Sequence, residues 1–384
     1  MKKNCVSENV LEIKKCELLS PLPDLLTFNS GIKVNSLSDW KDRRKEIFET
    51  AVNLQYGITL PEPEFLEVDT LYNGGNRISI KITTGKKEKP VSFYCKIILP
   101  SAENKKYPFI IDGDLCFSSF FNNNFLYPAI NKGIAWAIFD RTELCKDVSA
   151  GVRDDETFKK PKGQLIDAYE EYQITAFTAW AWGYSRVVDA LLKLDLIEDN
   201  LIAFTGVSRG GKTAMLAGVL DERALIVNPI QTCAGGCSCY RVHLEASYNG
   251  GEVKKGETLK DIINTFPYWF NPELKKYEED EKNLPFDSHY LKALVAPRTL
   301  LVVEGSGDIW ANPPASVYST LKTKPVYEFL NAEENLLWYV KDGGHEHTAY
   351  DVEILCSVIL NKKNGTPIHK DMFRLPFDLP ENLI

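Results

Sequence analysis

The chain has 384 residues, 44% of them hydrophobic, and a formal net charge of −8. That is enough apolar material for one large α/β domain or two small ones. The negative balance argues against nucleic acid or an anionic membrane surface as a partner, and no apolar run reaches the roughly eighteen residues that a transmembrane helix needs.

The first residues, Met1-Lys2-Lys3-Asn4-Cys5-Val6-Ser7-Glu8, carry basic groups but no apolar h-region, so a cytoplasmic location is expected. The cysteine count is nine, an odd number that leaves at least one unpaired. Cys233, Cys237 and Cys239 crowd together without a second ligand pair at finger-like spacing, so reduced thiols are expected and no metal site.

Residues 1–60 read as an irregular, partly helical lead-in, and residues 61–384 as one larger domain. Arg77, Ser79 and Lys81 alternate with Ile78, Ile80 and Ile82, the pattern of an antiparallel strand with one buried face. Val91 to Leu99 forms a second strand, joined to the first through Gly85 and the Lys86-Lys87-Glu88-Lys89 tip. Phe109-Ile110-Ile111 and Ile134 to Phe139 are continuous apolar runs, as in buried parallel strands. Helical periodicity runs from Leu165 to Leu194.

Leu201 to Thr205 predicts another buried strand, and it leads into Gly206-Val207-Ser208-Arg209-Gly210-Gly211-Lys212-Thr213. This octapeptide fits a G-x-S-x-G nucleophile elbow and also a G-x-x-x-x-G-K-T phosphate loop. Both need a strand before and a helix after, and Thr213 to Leu220 supplies the helix. Downstream residues separate them. After Ala224 to Val227, the next strand-like run, Thr299 to Val303 enters Glu304-Gly305-Ser306-Gly307-Asp308, and Leu336 to Val340 enters Lys341-Asp342-Gly343-Gly344-His345. Serine, then acid, then histidine is the α/β-hydrolase order, with each group just past a strand end, where open parallel sheets bind ligands. A phosphate loop usually follows the first strand of its domain, and this one follows half of the chain. His345 is preferred to His347 as base because Gly343 and Gly344 suit a tight strand-end loop. His289 reads as a structural or rim histidine, not a catalyst. Residues 236–296 interrupt the strand–helix rhythm and include Phe266-Pro267-Tyr268-Trp269-Phe270, an insertion expected to form one wall of the site.

Several spaced blocks together resemble the glucuronoyl esterases, carbohydrate esterase family 15, especially the bacterial members. They are Pro21 to Asp24, Trp40 to Arg44, Trp180 to Arg186, Gly206 to Lys212, Leu284 to His289, Ala296-Pro297-Arg298, Asp308 to Ala311 and Gly343-Gly344-His345. The resemblance implies an α/β-hydrolase fold, a three-layer sandwich with a mostly parallel central sheet and an N-terminal antiparallel extension. It implies Ser208 as nucleophile, His345 as base, Arg209 at the oxyanion, and Lys212 and Trp310 against a uronate sugar. Trp269, in the wall insertion, and Gln231 are further expected substrate contacts. Many members carry the triad glutamate where this chain has Gln231, within Ile230-Gln231-Thr232-Cys233. Asp308 is therefore the expected acid.

The resulting expectation is a serine esterase acting on 4-O-methyl-glucuronoyl esters through an acyl-enzyme. It needs no cofactor or metal, and its partner is a small carbohydrate ester. An acetyl-xylo-oligosaccharide esterase and a silent carbohydrate-binding protein remain as alternatives.

Overall fold

Strands that are apolar at every residue need both faces covered, and that requirement sets the architecture. The computed structural model describes residues 10–100, 106–116, 123–148 and 159–384. The stretch Met1 to Glu8 lies outside the described residues. β5 (Tyr107–Asp112), β6 (Ala135–Phe139), β8 (Ile226–Ile230) and β11 (Thr299–Gly305) are buried along their whole length. With β7 (Ile197–Val207) and β12 (Leu336–Lys341) they form the parallel part of the main sheet. Three antiparallel strands, β2 (Phe65–Gly74), β3 (Arg77–Gly85) and β4 (Pro90–Ile98), extend it at the β6 edge. The nine strands run in the order β12-β11-β8-β7-β5-β6-β4-β3-β2.

The two-residue period of each strand sends alternate side chains to opposite layers. Phe109, Ile111, Phe204, Val227, Leu300 and Val302 meet α3 (Ala176–Lys193), α4 (Arg209–Leu220) and α6 (Ser288–Val295) on one face. Ile110, Trp136, Ala203, Ile226, Leu301 and Val303 meet α2 (Asn123–Ile130) and α7 (Ala349–Asn364) on the other. This is an α/β-hydrolase sandwich of three layers. Among the described residues, no helix is long and apolar enough to cross a membrane.

The lead-in is more regular than its sequence suggests. β1 (Leu11–Leu18) pairs antiparallel with β9 (Val242–Tyr248), which also pairs with the short β10 (Lys254–Lys255), in a second sheet. The register of β1 shifts between Ile13 and Lys15. The bulge moves the buried positions from Leu11 and Ile13 to Cys16 and Leu18, which destroys the strict alternation that marks a strand. α1 (Leu37–Phe48) opens on a capping box, with the Ser36 side chain accepting from Asp39 N–H and the Asp39 carboxylate accepting from Ser36 N–H. Expected as a wall-forming insertion, residues 236–296 contain β9, β10, α5 (Leu259–Thr265) and α6.

Buried Arg43 of α1 fastens the lead-in to the core. Its guanidinium donates to the carbonyls of Leu25 (3.1 Å) and Asp24 (3.2 Å), to Asn29 Oδ1 (2.9 Å) and to Tyr290 Oη (2.7 Å), and pairs with Glu46 (3.0 Å). Arg43→Ala leaves those buried acceptors unpaired and is expected to cost roughly 2–4 kcal/mol. Calorimetry checks this through a lowered unfolding midpoint; an unchanged midpoint would contradict the assigned role.

Candidate active site

Four adjacent parallel strands, β7, β8, β11 and β12, end at one edge of the sheet. Each delivers one polar side chain just past its last residue or on its following loop: Ser208, Gln231, Asp308 and His345. Ser208 sits at φ 58° and ψ −123°, a strained conformation for a residue with a side chain. A Cβ on Gly206 would come within 2.5 Å of the Gly210 backbone, and one on Gly210 would land on the Asp114 carboxylate. The two glycines of the elbow are therefore steric necessities. Ser208 N–H donates to Ile230 O at 2.9 Å, and Asp114 Oδ2 accepts from Val207 N–H at 3.1 Å, so both flanks of the turn are fixed. The N–H of Arg209, the first residue of α4, has no intrahelical acceptor and faces the end where the helix dipole is positive. Ser208 Oγ makes no hydrogen bond among the described residues. Such bonds often tighten only when substrate is bound.

Asp308 is buried and His345 is not, its side chain being 42% exposed. Asp308 Oδ2 lies 2.6 Å from His345 Nδ1 and accepts from Gln231 Nε2 at 3.2 Å, while Oδ1 accepts from Ala311 N–H at 3.3 Å. An imidazole whose Nδ1–H is given to a carboxylate presents its other nitrogen as a base. His347 is not equivalent. Its ring packs edge-on against Phe125 at 4.4 Å, and burial pushes its pKa down to about 4. His289 is a core residue whose Nε2 meets Pro23 O at 2.7 Å, with its pKa pushed down by burial to about 3. His243 is paired with Glu281 at 2.8 Å.

The expected cations are held from below. Arg209 Nη1 lies 3.2 Å from both oxygens of Asp147, and its guanidinium stacks over the rings of Trp269 (4.9 Å) and Phe266 (5.0 Å). Asp147 also pairs with Arg141 at 3.2 Å and accepts from Tyr268 Oη at 2.9 Å. Lys212 is 3% exposed, with Nζ 5.8 Å from the Trp269 ring and 3.8 Å from Glu257 Oε2. A lysine turned onto a carboxylate is not poised for a phosphate, which disfavours the phosphate-loop pattern. Glu257 Oε2 is buried without a hydrogen-bond partner, and burial pushes the carboxyl up to about 7 against the opposing pull of Lys212. Trp310 is 48% exposed, and its carbonyl accepts from Glu257 N–H at 2.9 Å.

Two expectations are corrected. Trp269 is 2% exposed, and its ring stacks at 3.7 Å on Phe266 beneath Arg209; it is a platform for the cations and does not offer a face to substrate. Gln231 is fully buried with its side-chain amide bonded to Asp308, Gly344 and Glu346, so it supports the site from behind. Sequence reasoning missed Asp147 and Glu257. Glu257 lies in Glu252-Val253-Lys254-Lys255-Gly256-Glu257, where nothing local sets it apart from its charged neighbours, and nothing local marks Asp147. Cys233, Cys237 and Cys239 are buried free thiols, and among the described residues no group of three His, Cys, Asp or Glu side chains could hold a metal.

A strained serine elbow, an acid–imidazole pair on neighbouring strand ends and a sheet covered on both faces define an α/β hydrolase. Comparison with known proteins narrows the class. The family model of fungal glucuronyl esterases matches residues 80–331. The 4-O-methyl-glucuronoyl methylesterase of Schizophyllum commune is 30% identical over 342 residues, 87% of this chain and 80% of that protein. A carbohydrate esterase family 15 glucuronoyl esterase from Caldicellulosiruptor kristjansonii superposes with a TM-score of 0.79 at 30% identity, covering 94% of this chain and 96% of the other. A glucuronoyl esterase from Sporotrichum thermophile, solved in complex with methyl 4-O-methyl-β-D-glucopyranuronate, shares the fold with a TM-score of 0.74 at 22% identity over 95% of this chain and 93% of the other. The chain belongs to the glucuronoyl esterase family, carbohydrate esterase family 15, and is a carboxylic ester hydrolase.

The raised pKa of Glu257 carries a stability consequence. In the unfolded chain the carboxyl ionises near its ordinary value of 4.5, and in the folded one near 7, so stability falls as pH rises between them. Glu257→Gln removes that loss. The variant is expected to be more stable than the parent at pH 8, by on the order of 2 kcal/mol, with the gap closing below pH 4. Chemical denaturation at the two pH values measures it, and a gap that does not close in acid would contradict the assignment.

Proposed function

We propose that the chain hydrolyses 4-O-methyl-glucuronoyl esters, of the lignin–carbohydrate type or as small glucuronate esters, through an acyl-enzyme on Ser208. The observation that carries this reading is the 2.6 Å contact between Asp308 and His345 at the strand edge that also presents the strained Ser208. The names of the relatives supply the substrate class.

In this mechanism His345 Nε2 takes the Ser208 proton as Oγ attacks the uronoyl carbonyl. Asp308 holds the imidazole in the correct tautomer and offsets its positive charge. The Arg209 N–H and guanidinium face the developing oxyanion, and Asp147 with the Trp269 and Phe266 rings keeps the guanidinium from swinging away. The alcohol departs with the proton from His345. Water then enters, gives a proton to the same nitrogen and releases the uronate, and Ser208 recovers its hydrogen. The half-exposed Trp310 offers a ring face for stacking, and the Lys212–Glu257 pair lies one helical turn beyond Ser208.

Hydrolysis of benzyl glucuronate beside an aryl acetate tests the reading. Wild type is expected to cleave the glucuronate, Ser208→Ala to lose about 10⁴-fold or more in kcat, and Asp308→Asn about 10²- to 10⁴-fold. Cleavage of the acetate alone would transfer the chain to the acetyl-esterase reading, and normal rates with Asp308→Asn would remove Asp308 from the triad.

A further inference from the structure

We infer that Gln231 is a positioning residue that sets the acid and the base of this site in one geometry, and that it does so as an amide, a task a carboxylate at that position cannot perform. The inference rests on the esterase reading above and adds a residue that does not touch substrate.

Gln231 follows β8, between the strand ends that carry Ser208 and Asp308. It is fully buried at φ +47°, and its backbone N–H donates to Val303 O at 2.8 Å, which fastens it to β11. Its side chain then reaches both loops. One Nε2 proton goes to Asp308 Oδ2 at 3.2 Å and the other to Gly344 O at 2.6 Å, while Oε1 accepts from Glu346 N–H at 3.0 Å. The last two contacts bracket His345: one grips the carbonyl before it and the other the N–H after it. The amide therefore spends both donors and its acceptor on the two groups whose separation must stay near a hydrogen bond. The seat is shaped to it, because a Cβ on Gly305 would come within 2.5 Å of Nε2.

A glutamate fits this space but not this chemistry. Its ionised form has no proton for Asp308 or for the Gly344 carbonyl, and it sets a second negative charge beside His345. An added ionisable carboxyl also favours imidazolium over imidazole at His345, so the base becomes available only at higher pH. A methionine fills the volume and makes none of the three bonds. Misplacement of the imidazole by a fraction of an ångström lowers the chemical step and leaves substrate binding alone.

The test measures kcat and KM for benzyl glucuronate against pH in wild type, Gln231→Glu and Gln231→Met, with Ser208→Ala as the blank and thermal melts for each. Both Gln231 variants are expected to lose about tenfold or more in kcat with KM within about twofold. In Gln231→Glu the acid limb of kcat is expected to move up by about one pH unit, and in Gln231→Met it stays in place. Wild-type kcat in either variant that melts cooperatively, a KM that rises in step with the loss of kcat, or a Gln231→Glu acid limb that does not move would overturn the inference. So would failure of both variants to fold, which would make Gln231 a folding residue. A wild type that cleaves no ester points instead to failure of the proposed function.

Discussion

The hydrogen bond between Asp308 and His345 joins two loops that no local sequence feature connects, and strand pairing makes it possible. β11 and β12 run parallel with Gly305 directly opposite Lys341, so the loops after them leave the sheet side by side. Ser306 N–H to Lys341 O and Gly307 N–H to Gly343 O, both 2.8 Å, carry that register past the sheet edge. Lys341 then holds the far side of the histidine loop, donating to Glu346 O and pairing with Asp351, each at 2.6 Å. The two side chains stand beyond the sheet, but their separation is inherited from it.

The elbow that carries Ser208 is braced by a second, ionic scaffold. Asp114 fixes the N–H of Val207, fills the space beside Gly210 and pairs with buried Arg141; Arg141 pairs with Asp147; and Asp147 holds Arg209. Buried charges are costly alone and tolerable when each has an opposite partner, so this chain of alternating signs persists as a unit. Asp112 stands outside the alternation. Burial, with Asp114 beside it, holds its carboxyl well above the ordinary carboxylate range, and its Oδ1 accepts from Asp114 N–H at 2.8 Å. The scaffold fixes the Arg209 guanidinium beside the start of α4, and in the proposed mechanism both serve the oxyanion. A fixed array of donors of this kind stabilises developing negative charge without reorganising at the moment of reaction.

Much of this was legible because it depends on short-range pattern. Continuous apolar runs marked β5, β6, β7 and β11, the alternation at Ile78, Ile80 and Ile82 marked β3, and the spacing of glycines around Ser208 marked the elbow. Asp308 and His345 were found because a strand end followed by a Gly-rich loop is a local signal. What failed was what depends on distant neighbours. The bulge in β1 broke the only periodic cue that strand had, and its partner β9 lies more than two hundred residues away. Trp269 and Gln231 looked like substrate contacts, and both are buried. Which face of a ring or an amide meets solvent is decided by packing against Phe266, Gly305 and Gly344, and the linear sequence does not carry that information. Asp147 and Glu257 acquire meaning only from Arg209 and Lys212, which the fold brings to them.

The proposed hydrolysis turns on activation of Ser208 by His345 and Asp308. The most direct measurement is covalent labelling by an aryl phosphonate, followed by mass spectrometry of the peptides and by the labelling rate against pH. A single adduct on the peptide containing Ser208 is expected, forming more slowly as the imidazole takes up a proton and far more slowly in Asp308→Asn. An adduct on any other residue, or a rate indifferent to pH and to Asp308, would contradict the account.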